Sequence, residues 1–338
     1  MTPFVRRVGA ALGLSGSLAL APVAAQPAGA AAEAGSAYPT QPVSLIVPFS
    51  PGGDADVAAR ALVLGTQRAL GQPLLPINRA GASGAIGSLA VKQARPDGYT
   101  LLLARVGSQV VLPALQPTLA YKWNDFTLLG LLELNPVVCV TRAESPLRTL
   151  KDLTDALKAR PGKLNYSTSG AGTILNFGPQ LLFDQLKLGK DAAVQIAYKG
   201  GGEAAMAVIA GDVDFSCGNL TSVIGNIKGG RLRALVTTTP ERLKDLPEVP
   251  TARESGYPQL EAIVGWSALY GPPGMPRALV DRWTALLAGA AADPQWQAAT
   301  EKAGSIPRVL GPAETEAFIA AQFAVYERLG RQLQIEIK

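Results

Sequence analysis

A chain of 338 residues can hold two core-bearing domains, and 48% hydrophobic against 17% charged residues is the composition of a packed globule, not of a disordered segment. There is no histidine, which removes the usual general base of serine and cysteine hydrolases and the commonest transition-metal ligand, so neither a metal nor a cofactor is expected. The 31 Lys and Arg against 26 Asp and Glu give a net charge of +5, and no basic run carries interleaved aromatics, so the balance is too mild to imply nucleic acid.

In chain order, the first 25 residues have secretory anatomy: Arg6 and Arg7, an uncharged apolar run from Val8 to Leu20, and small residues ending at Ala25. Cleavage is expected after Ala25, with twin-arginine and general secretion both open. The apolar run is short of the ~20 residues that a membrane span needs. Without Arg6 and Arg7 the mature chain has 29 Lys and Arg against 26 Asp and Glu, a net +3. Gln26 to Ala37 is mostly Ala, Gly and Ser with one Glu, a composition that cannot bury a core and reads as a flexible leader.

From Tyr38 the chain alternates short strand-like runs with helical patterns. Strands are predicted at 43–49, 73–78, 99–105, 126–132 and 136–141, with helices of the kind DADVAARALVLGTQRAL between the first of them. A second unit of the same kind follows Thr141, with strands KLNYSTS, VQIAYK, VDFSCG and LRALVTT. EAIVGWSALYGPP leads out of it, and the remainder is largely helical, with Leu279, Trp283, Leu286 and Leu287 spaced to pack on a sheet. The pattern predicts an α/β fold of two lobes, 38–140 plus 265–338 and 141–264, each a mainly parallel sheet flanked by helices, joined by a two-strand hinge crossing near 140 and 264. Cys139 and Cys217 each lie in a strand-like run and are expected as inert buried thiols.

Two loops combine a strand end, a glycine-rich turn and a helix start: Ser50-Pro51-Gly52-Gly53-Asp54-Ala55-Asp56 and Thr168-Ser169-Gly170-Ala171-Gly172-Thr173. Glycine lets a ligand approach the backbone, and the following helix offers unpaired N–H groups and partial positive charge, a geometry suited to anions. A third glycine-rich stretch, Asn78 to Gly87, fits neither GxGxxG nor GxxxxGK[ST], so no nucleotide site is supported. Ser169 lies in no GxSxG motif and has no histidine partner. No catalytic constellation is seen, and a His-free lyase or transferase is the weaker alternative.

The strings VPFSPGGDADVAARAL, INRAGASGAIGS, RPDGYTLLL, AYKGGGEA, AGDVDFSCGNLTSVIGNIKGGRLRALVTT and VPTARESGYP, in this order from Tyr38 to near the C-terminus, resemble the substrate-binding proteins of tripartite tricarboxylate transporters, the Bug family. The resemblance implies a Venus-flytrap fold of the periplasmic-binding-protein kind, a periplasmic location, a monomer that holds a small carboxylate between its lobes, and a partner of two membrane subunits. It implies that Phe49, Gly52, Gly53, Ala55 and Asp56 face the cleft from the first lobe, with Asp56 holding its loop more than touching the ligand. From the second lobe, Ser167, Ser169, Gly172 and Thr173 would supply hydroxyl and backbone donors, with Tyr198 and Asn219 lining the cleft. Arg105 stands where relatives often carry a small hydroxyl; it reads either as a receptor for a ligand carboxylate or as a surface cation at a strand end. Ala55, Ile174, Asn176 and Gly218 replace residues that are more polar in relatives, and Gly218 removes an acidic partner for an ammonium, which points to an aromatic or extended apolar carboxylate. A periplasmic sensor that docks on a signalling receptor is an alternative role.

Overall fold

The computed structural model describes residues 38–337. The signal peptide and leader expected over 1–37 lie outside the described residues. The chain opens with β1 (Val43–Val47), α1 (Asp54–Leu70), β2 (Leu74–Asn78), α2 (Ala85–Lys92) and β3 (Thr100–Arg105). In β1, Val43, Leu45 and Val47 are fully buried and pack on Ala58, Ala59 and Leu62 of α1. Two aspartates in its first turn suit the positive end of α1, and Gly71, in the left-handed region at φ 76°, ends the helix. β1 pairs parallel with β2 and β3. Pro76 is tolerated in β2 because that strand is the edge of its sheet, where a missing N–H costs no ladder bond.

A π-helical turn (Gly107–Val111) and α3 (Leu112–Leu115) lead to β4 (Thr127–Asn135), and Pro136 separates β4 from β5 (Val137–Arg142). The second lobe continues with α4 (Leu150–Ala159), β6 (Asn165–Thr168), α5 (Ile174–Gln185), β7 (Val194–Ala197), α6 (Gly201–Ala210), β8 (Phe215–Asn219), α7 (Ile224–Lys228) and β9 (Leu232–Thr237). The return runs through β10 (Gly265–Gly271), α8 (Arg277–Ala292), α9 (Pro294–Lys302), β11 (Ile306–Leu310) and α10 (Pro312–Gln332). One sheet has the order β11-β4-β10-β3-β1-β2 and the other β7-β6-β8-β5-β9.

Both sheets are mixed, where the strand–helix alternation predicts mainly parallel ones. β10 is antiparallel to β3 and β4, and β5 is antiparallel to β8 and β9. The reason lies in the hinge: a strand that enters a lobe from the cleft must run away from it, against neighbours whose carboxyl ends face it. β5 belongs to the second sheet, which puts the first crossing at Pro136 instead of near 140. β11 falls in a stretch that reads as helical, yet it pairs antiparallel with β4 between α9 and α10.

The thiols of Cys139 and Cys217 are not free. They face each other in the β5–β8 register and are joined in a disulfide. A separation of 78 residues hides this pairing from local sequence pattern. The α8–α9 pair packs on α1, where a Cβ on Gly65 would meet Ala290 and Trp296 at 3.0 Å. α10 reaches from the first lobe to the second: Tyr326 meets Phe177 of α5 edge to face, with ring centres 5.1 Å apart, and both are fully buried.

Candidate ligand-binding site

The carboxyl ends of β1 and β6 meet across the cleft through the loops that follow them. In the first loop, Gly52 adopts a positive φ of 77° and donates its N–H to Asp56 Oδ2 at 3.1 Å, while Arg60 Nε donates to the same oxygen at 2.9 Å. Burial would raise the Asp56 carboxyl, but these hydrogen bonds outweigh it and hold the group below its ordinary value. Asp56 thus braces the loop, helped by Asn78 Nδ2, which donates to the Phe49 carbonyl at 3.0 Å. Ala55 does not face the cleft; it is fully buried in the first-lobe core because the second residue of α1 points at the sheet.

In the second loop, Thr173 Oγ1 donates to the Gly170 carbonyl at 2.8 Å, and the Gly172 N–H donates to Ser83 Oγ of the first lobe at 3.1 Å. Ser169 and Thr173 line a small cavity with Phe49, Asp54, Arg105, Ile174, Leu175 and Asn219. Ser167 is placed elsewhere: two residues back along β6, its hydroxyl donates to the Ala204 carbonyl of α6 at 2.8 Å inside the second-lobe core. Asn176 accepts from Tyr166 and donates to the Ala171 carbonyl, so it supports the loop from beneath. Tyr198 lines a wider opening of about 530 Å³ with Phe49, Ser83 and Ser169.

Arg105 is neither exposed nor free. It is 2% exposed, donates to Asp54 Oδ2 and Ser267 Oγ, and lies 3.7 Å from Glu133 Oε1. Asp54 Oδ2 also accepts from Asn219 Nδ2, and the Asp54 N–H donates to Ser222 Oγ at 3.1 Å. Beyond them, Ser267 and Asn135 donate to Glu133 Oε1, and Ser305 shares a hydrogen bond with Thr221. The Arg105 guanidinium is shared here between two buried carboxylates, Asp54 and Glu133, since low-dielectric surroundings draw buried charges into pairs. The network joins Asp54, Arg105, Glu133 and Ser305 of one lobe to Asn219, Thr221 and Ser222 of the other.

Glycine makes this approach possible. A Cβ on Gly202 would lie 3.0 Å from Gly52 C and O, and one on Gly53 would lie 3.2 Å from the Gly202 nitrogen. The Ser50 N–H donates to the Lys199 carbonyl at 3.2 Å between the same loops. With the lobes so close, the inner cavity holds about 20 Å³, the space of roughly one water molecule. A larger concavity of about 850 Å³ lies on the second lobe between the start of α4 and edge strand β9, and no residue of this network borders it.

Asp54, Ser83, Glu133, Ser222 and the Gly201-Gly202 pair were not legible as site residues. Asp54 lies in the glycine-rich loop, but its pairing with Arg105 has no local signal, since 51 residues separate them.

The architecture is that of a two-lobed periplasmic binding protein. The structure aligns with that of the periplasmic binding protein BugD at a TM-score of 0.84 and 29% identity, covering 89% of this chain and 100% of that one. It aligns with MatC from Rhodopseudomonas palustris with bound malate at a TM-score of 0.81 and 28% identity, covering 86% and 99%. Protein BugT of Bordetella pertussis is 33% identical over 304 residues, 89% of this chain and 92% of that protein. Residues 58–335 match the model of the tripartite tricarboxylate transporter family receptor, and the chain belongs to this family of solute-binding proteins.

Proposed function

We propose that the protein is a periplasmic receptor that captures a small organic carboxylate between its lobes and, as a monomer, delivers it to a membrane transporter of two subunits. The observation that carries this reading is the meeting of two strand-to-helix loops, around Gly52-Gly53 and Ser169 to Thr173, over a cavity lined from both lobes. The N-terminus of α5, with the Ser169 and Thr173 hydroxyls beside it, suits a ligand carboxylate. Phe49, Val106, Ile174 and Leu175 supply an apolar wall, which favours a ligand with an apolar or aromatic body. The malate seen in MatC supports the carboxylate class. Binding, not turnover, is the chemistry such a site offers: its carboxylates and guanidinium are engaged with each other. A cavity of about 20 Å³ admits no such ligand until the lobes part, so capture requires a hinge motion.

Native mass spectrometry of the mature protein as purified, followed by identification of whatever small molecule it releases, tests this reading. A carboxylic acid at near-stoichiometric occupancy, raising the melting temperature when added back, is the expected result. A released ligand without a carboxyl group would overturn it.

A further inference from the structure

The floor of the cleft is short of one positive charge. Among the described residues the buried charged side chains are Asp54, Asp56, Arg105 and Glu133, and Asp56 is paired outward with Arg60. That leaves two carboxylates, Asp54 and Glu133, against the single guanidinium of Arg105. It is also short of donors. Both side-chain hydrogen bonds to Asp54, from Arg105 and Asn219, fall on Oδ2 and neither on Oδ1. Asn219 Oδ1 also has no hydrogen-bond donor, but it is buried against Gly265, so the acceptor left for a ligand is Asp54 Oδ1.

We propose that Asp54 is a specificity residue that receives a ligand ammonium, so that the site takes an amino carboxylate and discriminates against dicarboxylates. This rests on the reading of the protein as a carboxylate receptor and names the substrate class of that site. Arg105 is 2% exposed and already spends one N–H of each terminal nitrogen on Asp54 and Ser267, so within this site its charge is committed to the chain's own carboxylate before any ligand arrives. The chain's own Asp54 fills that seat. A dicarboxylate would therefore set its far end against Asp54, three carboxylates to one guanidinium, while an ammonium makes the count two against two. The start of α1 contributes only about half a unit charge and already faces Asp54, so it does not replace a cation. The ligand's own carboxylate goes to the opposite wall, at Ser169, Thr173 and the start of α5. The two ends of the cleft thus differ in sign preference, and the acidic partner that Gly218 does not supply comes from the other lobe.

The test is calorimetric titration of the full mature protein with matched pairs in which an ammonium-bearing end replaces one carboxylate: succinate and β-alanine, glutarate and 4-aminobutanoate, terephthalate and 4-(aminomethyl)benzoate. In at least one pair the amino member should bind tighter by about tenfold to a hundredfold, the scale of a charged hydrogen bond. Asp54→Asn should erase or invert that preference while the protein still binds, and a melting curve checks that the variant folds. Equal or tighter binding of the dicarboxylate in every responsive pair overturns the inference and leaves the carboxylate reading standing. A preference unchanged in a folded Asp54→Asn protein overturns it as well. If the variant does not fold, the wild-type preference alone decides. If no member of any pair binds, the inference falls, and the carboxylate reading is judged separately on the co-purified ligand.

Discussion

Replacing Arg105 with methionine separates a structural cation from a superficial one. The substitution keeps a long unbranched side chain but removes the donors to Asp54 and Ser267 and the charge 3.7 Å from Glu133. Two carboxylates remain, in residues that are 7% and 3% exposed, with no guanidinium to compensate them. Breaking a buried pair by removing one partner costs about 3–5 kcal/mol. At roughly 2–4 °C per kcal/mol for a chain of this order of size, the melting temperature should fall by about 10 °C. An exposed cation at a strand end would change stability by no more than about 0.5 kcal/mol. Differential scanning calorimetry of the ligand-free protein distinguishes the two, and Arg105→Lys should lie between them because it keeps the charge but loses the planar fork. A fall of less than about 2 °C in Arg105→Met would refute the account of the buried network.

Asp56 should give the loop an acid limit. Its folded value is depressed, so its contribution is present above the unfolded value of about 4 and is lost as pH falls through the folded one. Urea midpoints of wild type and Asp56→Asn should differ at pH 7 and converge below about pH 4; a constant gap would contradict this. The disulfide closes a loop between residues 78 apart, so the Cys139→Ala, Cys217→Ala double variant should lose about 2–4 kcal/mol in denaturant unfolding, and neither cysteine should react with iodoacetamide unless the protein is first reduced. Gly202→Val places a Cβ 3.0 Å from the Gly52 backbone. Overpacking of about 1–3 kcal/mol should then weaken the co-purified ligand by about tenfold or more and block the ligand-induced contraction in small-angle scattering, and an unchanged contraction would show that the loops do not meet as described.

The parts of this molecule that were readable in sequence are those set by local chemistry. β1 and α1 follow from VSLIV and from the amphipathic run after Asp54, and the loop between them from Pro51-Gly52-Gly53. Asp56 bracing Gly52 is a contact four residues long, within reach of capping rules. What was not readable depends on the chain returning to itself. The direction of β10 is fixed by the hinge, and β11 is a strand only because β4 offers it an open edge. Ser167 illustrates the limit within one loop: its type and position suit a ligand donor, but α6 packs against β6 and takes the hydroxyl. Arg105 changes meaning for the same reason, since Asp54, Glu133 and Ser267 approach it from three separate elements.

The same network couples recognition to closure. Asp54 has its Arg105 partner within the first lobe, whatever the second lobe does, but Asn219 and Ser222 reach it only when the lobes meet. Parting the lobes would take the Asn219 hydrogen bond from the carboxylate and the Ser222 acceptor from the Asp54 backbone N–H; closing restores both and excludes water. A ligand group that donates to Asp54 Oδ1 adds to a shell that closure completes, so its binding and the shutting of the cleft reinforce each other. A ligand carboxylate in that position would oppose closure, because the approach of the second lobe would bury the repulsion instead of relieving it. With Asp54 as the proposed ammonium receptor, selectivity becomes a property of the closed state, and a variant that cannot close, such as Gly202→Val, should lose discrimination between matched ligands as well as affinity.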